Sequence, residues 1–223
     1  MEKTNLKDLI KKKNPYLFKA KNVNTPRALI QSLLEAKLSS SEEEIIGTFL
    51  EDLAVFVASK TLNAQKVGTS GIDFQYIQGN TAYVVSVKSG LNWGNSSQWK
   101  ALEQDFKKTG TVLRQSKGIK HVEYILGVSY GAAPTTIKKG IIKQVAGQNF
   151  WYMISGKEEF YKEIIEPIGF KAKELNSQFE RKKLTLIKKL TSEFSKDFCN
   201  KDKSISWQKI IEFNSGNLGK TKR

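Results

Sequence analysis

The 223-residue chain carries 37 Lys and Arg against 22 Asp and Glu, a formal charge of +15, with 39% hydrophobic and 26% charged residues. This composition supports a packed core and excludes wholesale disorder, while the charge favours a polyanionic partner. A single cysteine, Cys199, excludes an internal disulfide and fits a reducing cytoplasm, and a single histidine, His121, argues against zinc centres and Ser-His-Asp triads.

No signal-peptide pattern opens the chain, and no apolar run approaches the ~18 residues of a membrane span. A membrane-surface role has only the charge behind it, without a long basic amphipathic stripe. Hydrolytic chemistry, if present, rests on carboxylates, lysines and a metal ion. The charge is uneven: residues 1–41 and 157–223 each carry net +6, and 42–156 only +3. The expected organisation is a pair of basic N-terminal helices (1–41), a core (42–156) and a helical basic C-terminal region (157–223) ending in a mobile Gly/Lys-rich tail.

In chain order, residues 5–13 read as a short basic helix stopped by Asn14-Pro15, since the residue before proline avoids the α region. A second helix over about 26–37 begins at Thr25-Pro26, with Thr as N-cap and Pro in the first turn. Ser39 to Glu44 resembles a capping box opening a separate helix over about 42–60. Ile45, Ile46, Phe49, Leu50, Leu53, Phe56 and Val57 form its expected apolar face. Gly47, Glu51, Ala54 and Ala58 form a narrow stripe on another side that permits close approach to a neighbour.

Ile72–Ile77 and Thr81–Lys88 read as strands joined by Gln78-Gly79-Asn80. A helix over about 97–108 carries Trp99, Leu102 and Phe106 at helical spacing. Val122–Ser129 is a third strand and Phe150–Ile154 a fourth; helices follow over 158–166, 171–198 and 205–213. His121, just before the third strand, reads as a turn residue.

The hairpin concentrates chemistry. With Gly79-Asn80 central in a two-residue turn, Tyr76 faces Tyr83, Phe74 faces Val85 and Asp73 faces Ser86. Alternation then sets Asp73, Ser86 and Lys88 on one face, and Ile72, Phe74, Tyr83, Val85 and Val87 on the other. Cross-strand neighbours stand ~5 Å apart and diagonal ones ~7 Å, so a carboxylate and an ammonium meet where the hairpin opens into Gly-, Asn- and Ser-rich loops.

These residues resemble the PD-(D/E)XK nuclease superfamily, whose signature is an acid at the start of one hairpin strand and acid-X-Lys on the next. Here the pattern is Asp73, then Ser86-Val87-Lys88, preceded by a helix whose Gly47-Thr-Phe-Leu-Glu51 matches the family's glycine and glutamate. The resemblance covers roughly residues 42–130. Lys12–Lys21, Lys88–Gln98 and Gly147–Gly156 extend it toward one group of bacterial type II restriction endonucleases. It implies an α/β restriction-endonuclease-like fold: a mixed central β-sheet flanked by helices, with a helical C-terminal extension. Two departures stand out. Ile72 replaces the common proline before Asp73, and Ser86 stands where an acid belongs. Some similar enzymes have Ser-X-Lys and take the missing carboxylate from the following helix, which makes Glu103 a candidate.

The resemblance implies Mg²⁺-dependent hydrolysis of double-stranded DNA. Mg²⁺ prefers oxygen ligands and needs only one or two carboxylates. Asp73 is the expected principal ligand, with Glu51 or Glu103 as second acid and the Val87 carbonyl completing the shell. Lys88 orients water and stabilises charge, and Ser86 contributes at most a hydrogen bond. DNA contacts are expected from Asn92, Trp93, Asn95 and Gln98 beside the site, and from Lys11, Lys12, Lys13, Arg181, Lys182 and Lys183 on phosphates; Trp93 serves equally as a hydrophobic plug. Cutting both strands favours a homodimer. The alternatives are a resolvase or repair nuclease of the same superfamily, a resolvase requiring branched DNA, and an inactive DNA-binding module, for which Ser86 is the best argument.

Overall fold

A computed structural model describes residues 4–116, 118–169 and 172–216. Its elements begin with α1 (Leu6–Lys12), α2 (Pro15–Ala20), α3 (Pro26–Thr61) and β1 (Gln65–Lys66), followed by β2 (Phe74–Gln78), β3 (Thr81–Lys88) and α4 (Ser96–Arg114). Next come β4 (His121–Val128), β5 (Thr136–Lys138), β6 (Ile142–Ala146) and α5 (Gln148–Ser155). The chain closes with α6 (Phe160–Glu163), α7 (Ile165–Gly169), α8 (Ala172–Phe198) and α9 (Trp207–Ser215). Among the described residues no helix is long and apolar enough to cross a membrane. The chain divides into two compact units, Met1–Glu42 with Lys171–Arg223, and Glu43–Phe170.

The first unit is helical. Asn14 ends one helix and starts the next: its side chain accepts from the N–H groups of Tyr16 and Leu17, with Pro15 in the first turn of α2. Thr25 caps α3 as its sequence suggests, accepting from the Ala28 N–H at 3.2 Å. Leu9, Ile10, Phe18, Ile30, Leu33, Leu190, Phe194, Phe198 and Ile210 share one buried core. Asn214 fastens the end of α9 to the Ile10 carbonyl at 2.7 Å. Residues 217–223, most of the expected mobile tail, lie outside the described residues.

The second unit is built on a six-stranded sheet of order β1-β2-β3-β4-β6-β5. The β3–β4 and β4–β6 pairs are parallel and the other three antiparallel. The hairpin register is the expected one, with Phe74 opposite Val85, Tyr76 opposite Tyr83 and Gln78 opposite Thr81. Gly79 takes φ +60° in the turn. On one sheet face Phe74, Tyr76, Val85, Val87, Ile125 and Val145 pack against α3 and α5. On the other, Val84, Tyr124, Leu126, Val128 and Ile142 pack against Leu102 and Phe106 of α4.

Five expectations need correction. The two helices expected over 26–37 and 42–60 are one, because nothing breaks the chain between them. Ser40 and Ser41 donate to the carbonyls four residues back, of Ala36 and Lys37, instead of capping a new helix. The burial of α3 is also rotated from its expected face. Gly47, Leu50, Ala54, Val57 and Ala58 are buried, whereas Ile45 (67% exposed), Ile46, Phe49 and Phe56 (59%) face outward. Small residues let the helix settle onto a sheet face already crowded by Phe74 and Tyr76, and a Cβ on Gly47 would lie 3.6 Å from the Ser89 side chain.

Residues 150–154 are helical, and the last parallel strand is instead β6, which begins two residues after Gly140. The aromatic run Phe150-Trp151-Tyr152 imitated strand propensity, but Phe150, Trp151 and Ile154 are buried at helical spacing. Ile72 does not share the face of Phe74. It packs with Val84 and Leu102, because regular alternation begins only at Phe74. Finally, His121 is the first residue of β4, paired with Thr81, so it lies in the strand and not in a turn before it.

Candidate active site

The open end of the β2–β3 hairpin holds Asp73 and Lys88, and the backbone of one residue, Val87, organises both. Asp73 donates its N–H to the Val85 carbonyl at 2.9 Å, which extends the ladder one residue beyond β2. Its Oδ2 accepts from the Val87 N–H at 2.6 Å. The Val87 carbonyl accepts from Lys88 Nζ at 2.7 Å. Lys88 Nζ also lies 3.8 Å from Glu51 Oε1 and over the Trp93 ring, 5.8 Å from its centroid. Glu51 reaches this point because the small stripe of α3 brings the helix close to the sheet.

Burial pushes the Glu51 carboxyl above the ordinary glutamate range; Lys88 opposes that rise, while the negative charges of Asp73 and Asp52 add to it. Asp73, Glu51 and Lys88 therefore form one electrostatic cluster. The Glu51 carboxylate and the Val87 carbonyl meet the Lys88 ammonium, the Asp73 carboxylate is held on the Val87 N–H, and all of these acceptor atoms are oxygen. Among the described residues no group of three or more His, Cys, Asp or Glu side chains is arranged to hold a metal.

Ser86 is fully buried in β3 and its hydroxyl has no hydrogen-bond partner. Glu103 has other neighbours: its carboxylate is 2.6 Å from Lys107 Nζ. The Lys107 hydrogen bond is the main cause holding its pKa below the usual range, and Lys139 adds to it. The electrostatic neighbours of Glu51 thus include Asp73 and Lys88, and those of Glu103 do not.

The loop after β3 is more structural than its composition suggests. Asn95 caps α4, accepting from Ser97 and Gln98 N–H groups, and the Gln98 side chain accepts from the Asn95 N–H in return. Trp93 packs on Trp99 with ring centroids 4.8 Å apart and planes tilted by 38°, and it packs against the α4-side core. Asn92 is exposed. The pattern Asn-Ser-Ser-Gln ahead of an amphipathic run was the available signal for the capping box.

The basic residues of the first unit divide the same way. Lys13 donates to the Ala36 carbonyl at 3.0 Å, Lys183 lies 3.9 Å from Glu35, and Lys11 covers the Phe213 ring. Lys12, Arg181 and Lys182 are exposed.

A search of curated proteins finds no match. A family model for the type II restriction endonuclease EcoO109I matches residues 1–176, a span that takes in Glu51, Asp73, Ser86, Lys88 and Glu103. Since that span is most of the 223-residue chain, the protein belongs to the EcoO109I family of type II restriction endonucleases.

Proposed function

We propose that the protein is a site-specific endonuclease that hydrolyses phosphodiester bonds of double-stranded DNA with Mg²⁺. The observation that carries this reading is the Val87 backbone, whose N–H binds Asp73 while its carbonyl binds Lys88, with Glu51 at 3.8 Å from the ammonium. A carboxylate and a cation held by the two flanking peptide groups of one strand residue are oriented by the backbone and not by side-chain packing alone.

The donor set suits Mg²⁺, which takes oxygen ligands and keeps several of its waters. Asp73, Glu51 and the Val87 carbonyl are the groups that would hold it. When bound, Mg²⁺ supplies a nucleophilic water and relief of charge on the phosphate. Lys88 offers N–H donors to the attacking water and to the phosphate oxygens, and it screens Asp73 from Glu51. Glu51 fills the role of second acid because it shares the electrostatic field of Asp73 and Lys88. Glu103 is tied to Lys107, and Ser86 has no open path to substrate.

Base-edge contacts fall best to Asn92, since the side-chain oxygens of Asn95 and Gln98 are spent on the capping box. Trp93 contributes by holding Lys88 in place. In the first unit, exposed Lys12, Arg181 and Lys182 suit phosphate contacts better than Lys11, Lys13 and Lys183, which have partners in the fold. The homodimer expected of an enzyme that cuts both strands finds support in the exposed stripe of α3. Antiparallel pairing of two such helices, centred between Asp52 and Leu53, sets Phe49 against the partner's Phe56 and joins apolar to apolar.

Incubation with mixed-sequence plasmid and Mg²⁺, resolved on a gel, tests the reading: discrete fragments are expected. Asp73→Ala and Lys88→Ala should each lower cleavage by at least about 10³-fold with the melting temperature unchanged. Full cleavage by either purified variant overturns the assignment.

A further inference from the structure

A cavity of about 490 Å³ opens in the second unit between the loop leaving β4 and the start of α5. Its lining includes Ser129, Gly131, Gly147, Gln148, Asn149 and Trp151, and no charged side chain. It lies at the same end of the sheet as Lys88. In the parallel strands Lys88 pairs with Val128, and Val128 with Ala146, so the cavity begins one residue past that row. The Ser129 N–H donates to the Lys88 carbonyl at 2.8 Å.

Two independent features point to an anion. The first is the uncapped start of α5. The first N–H groups of a helix have no partner within it, and Gly147 at the N-cap makes no side-chain hydrogen bond to them. A capping side chain is excluded there: Gly147 has φ +55°, and a Cβ on it would lie 2.7 Å from the Gly131 carbonyl oxygen. The donors of Gln148 and Asn149 and the positive end of the helix dipole thus remain available beside the cavity.

The second feature is Ser129. It is 5% exposed and its hydroxyl has no hydrogen-bond partner. Its backbone is fully committed, the N–H to Lys88 and the carbonyl to Trp151 Nε1 at 2.8 Å. The residue is therefore fixed in place with one donor left over, and leaving such a group buried and unpaired is costly unless something binds it.

We propose that the α5 N-terminus and the Ser129 hydroxyl form a phosphate clamp that grips the DNA strand being cut, next to the phosphate attacked at Lys88. This rests on the endonuclease reading above. Donors without a cation or carboxylate select an oxyanion. The source is backbone DNA because Ser129 is held directly on the Lys88 carbonyl, so a strand whose phosphate reaches Lys88 runs past the clamp.

The decisive variant is Asn149→Asp in the full chain. A carboxylate in the first turn favours the helix dipole, so a purely structural role predicts an equal or higher melting temperature and unchanged DNA affinity. The clamp predicts the same melting behaviour with about 10-fold weaker binding to linear mixed-sequence duplex without divalent cation, and a salt dependence shallower by about one phosphate contact. Ser129→Ala should weaken binding in the same direction, and Asn149→Ser should not. Unchanged affinity in Asn149→Asp overturns the clamp. So does inorganic phosphate stabilising the wild-type chain, at matched ionic strength, without any effect of Asn149→Asp on DNA binding, because the site would then take free phosphate. If plasmid is not cut by the wild-type chain, the endonuclease reading fails by itself, and the binding comparison still decides the clamp.

Discussion

The two units use polar groups differently. In the helical unit, three lysines that a sequence reading assigns to a partner are absorbed by the fold: Lys13 holds the Ala36 carbonyl, Lys183 faces Glu35 and Lys11 covers the Phe213 ring. The sheet unit leaves Ser86, Thr109 and Ser129 buried without partners, against Thr191 alone in the helical unit among the described residues. It also gathers Glu51, Asp73 and Lys88 at one sheet end and keeps a large cavity there. Unsatisfied buried groups are costly, and of these three Ser129 is the one that lines the cavity.

That contrast can be broken at its most expensive point first. Phe194, fully buried in the helical unit, should cost about 3–5 kcal/mol when changed to Ala. Denaturant unfolding would measure the loss, and cleavage per folded molecule should hold. A collapse of activity without loss of stability would mean that the helical core takes part in the chemistry. Next in size, Phe49→Asp combined with Phe56→Asp should shift the proposed dimer to monomer in sedimentation while raising or preserving its solubility. A dimer that survives both charges places the interface elsewhere.

A smaller effect sharpens the account of Glu51. Because its folded pKa is raised, the native state holds a proton that the unfolded chain has released just above the ordinary value of 4.5. Stability should therefore fall as pH rises through the window from that value up to the folded pKa, and be fully relieved below it. Glu51→Gln should remove this slope, which unfolding curves between pH 4 and 7 would show. An unchanged slope assigns it to another group. The smallest expected effect is Glu103→Ala, with cleavage within about twofold of wild type, as for a surface residue away from the reacting atoms; a loss beyond tenfold would return the second acid to α4.

Much of the site was legible in advance because a two-residue turn fixes register. Once Gly79 and Asn80 are the turn, arithmetic sets Asp73 beside Ser86 and brings Lys88 near. The Val87 backbone as the shared anchor was not legible, since it depends on Asp73 leaving regular strand geometry and turning its carboxylate into the ladder. The burial of α3 misled for a related reason. Hydrophobicity ranks Phe49 and Phe56 above Gly47 and Ala54, but close approach to a sheet of aromatic residues selects for small volume. The strand β6 was hidden because Lys143 interrupts its apolar residues, while the aromatic helix after it read more strongly as a strand. Asn95 and Gln98 were recognised as polar groups near the site, but their mutual capping follows from spacing that also suits DNA contacts.

The position of Ser86 limits how this enzyme can be improved. An engineer wishing to restore the familiar acid would install aspartate there, yet the side chain points into a dry layer shared with Leu102, Phe106 and Leu126. A carboxylate in that layer would hold its proton or push α4 away, and neither helps a divalent ion. Any gain in metal affinity would have to be sought from the α3 side, where Glu51 already stands at the edge of water.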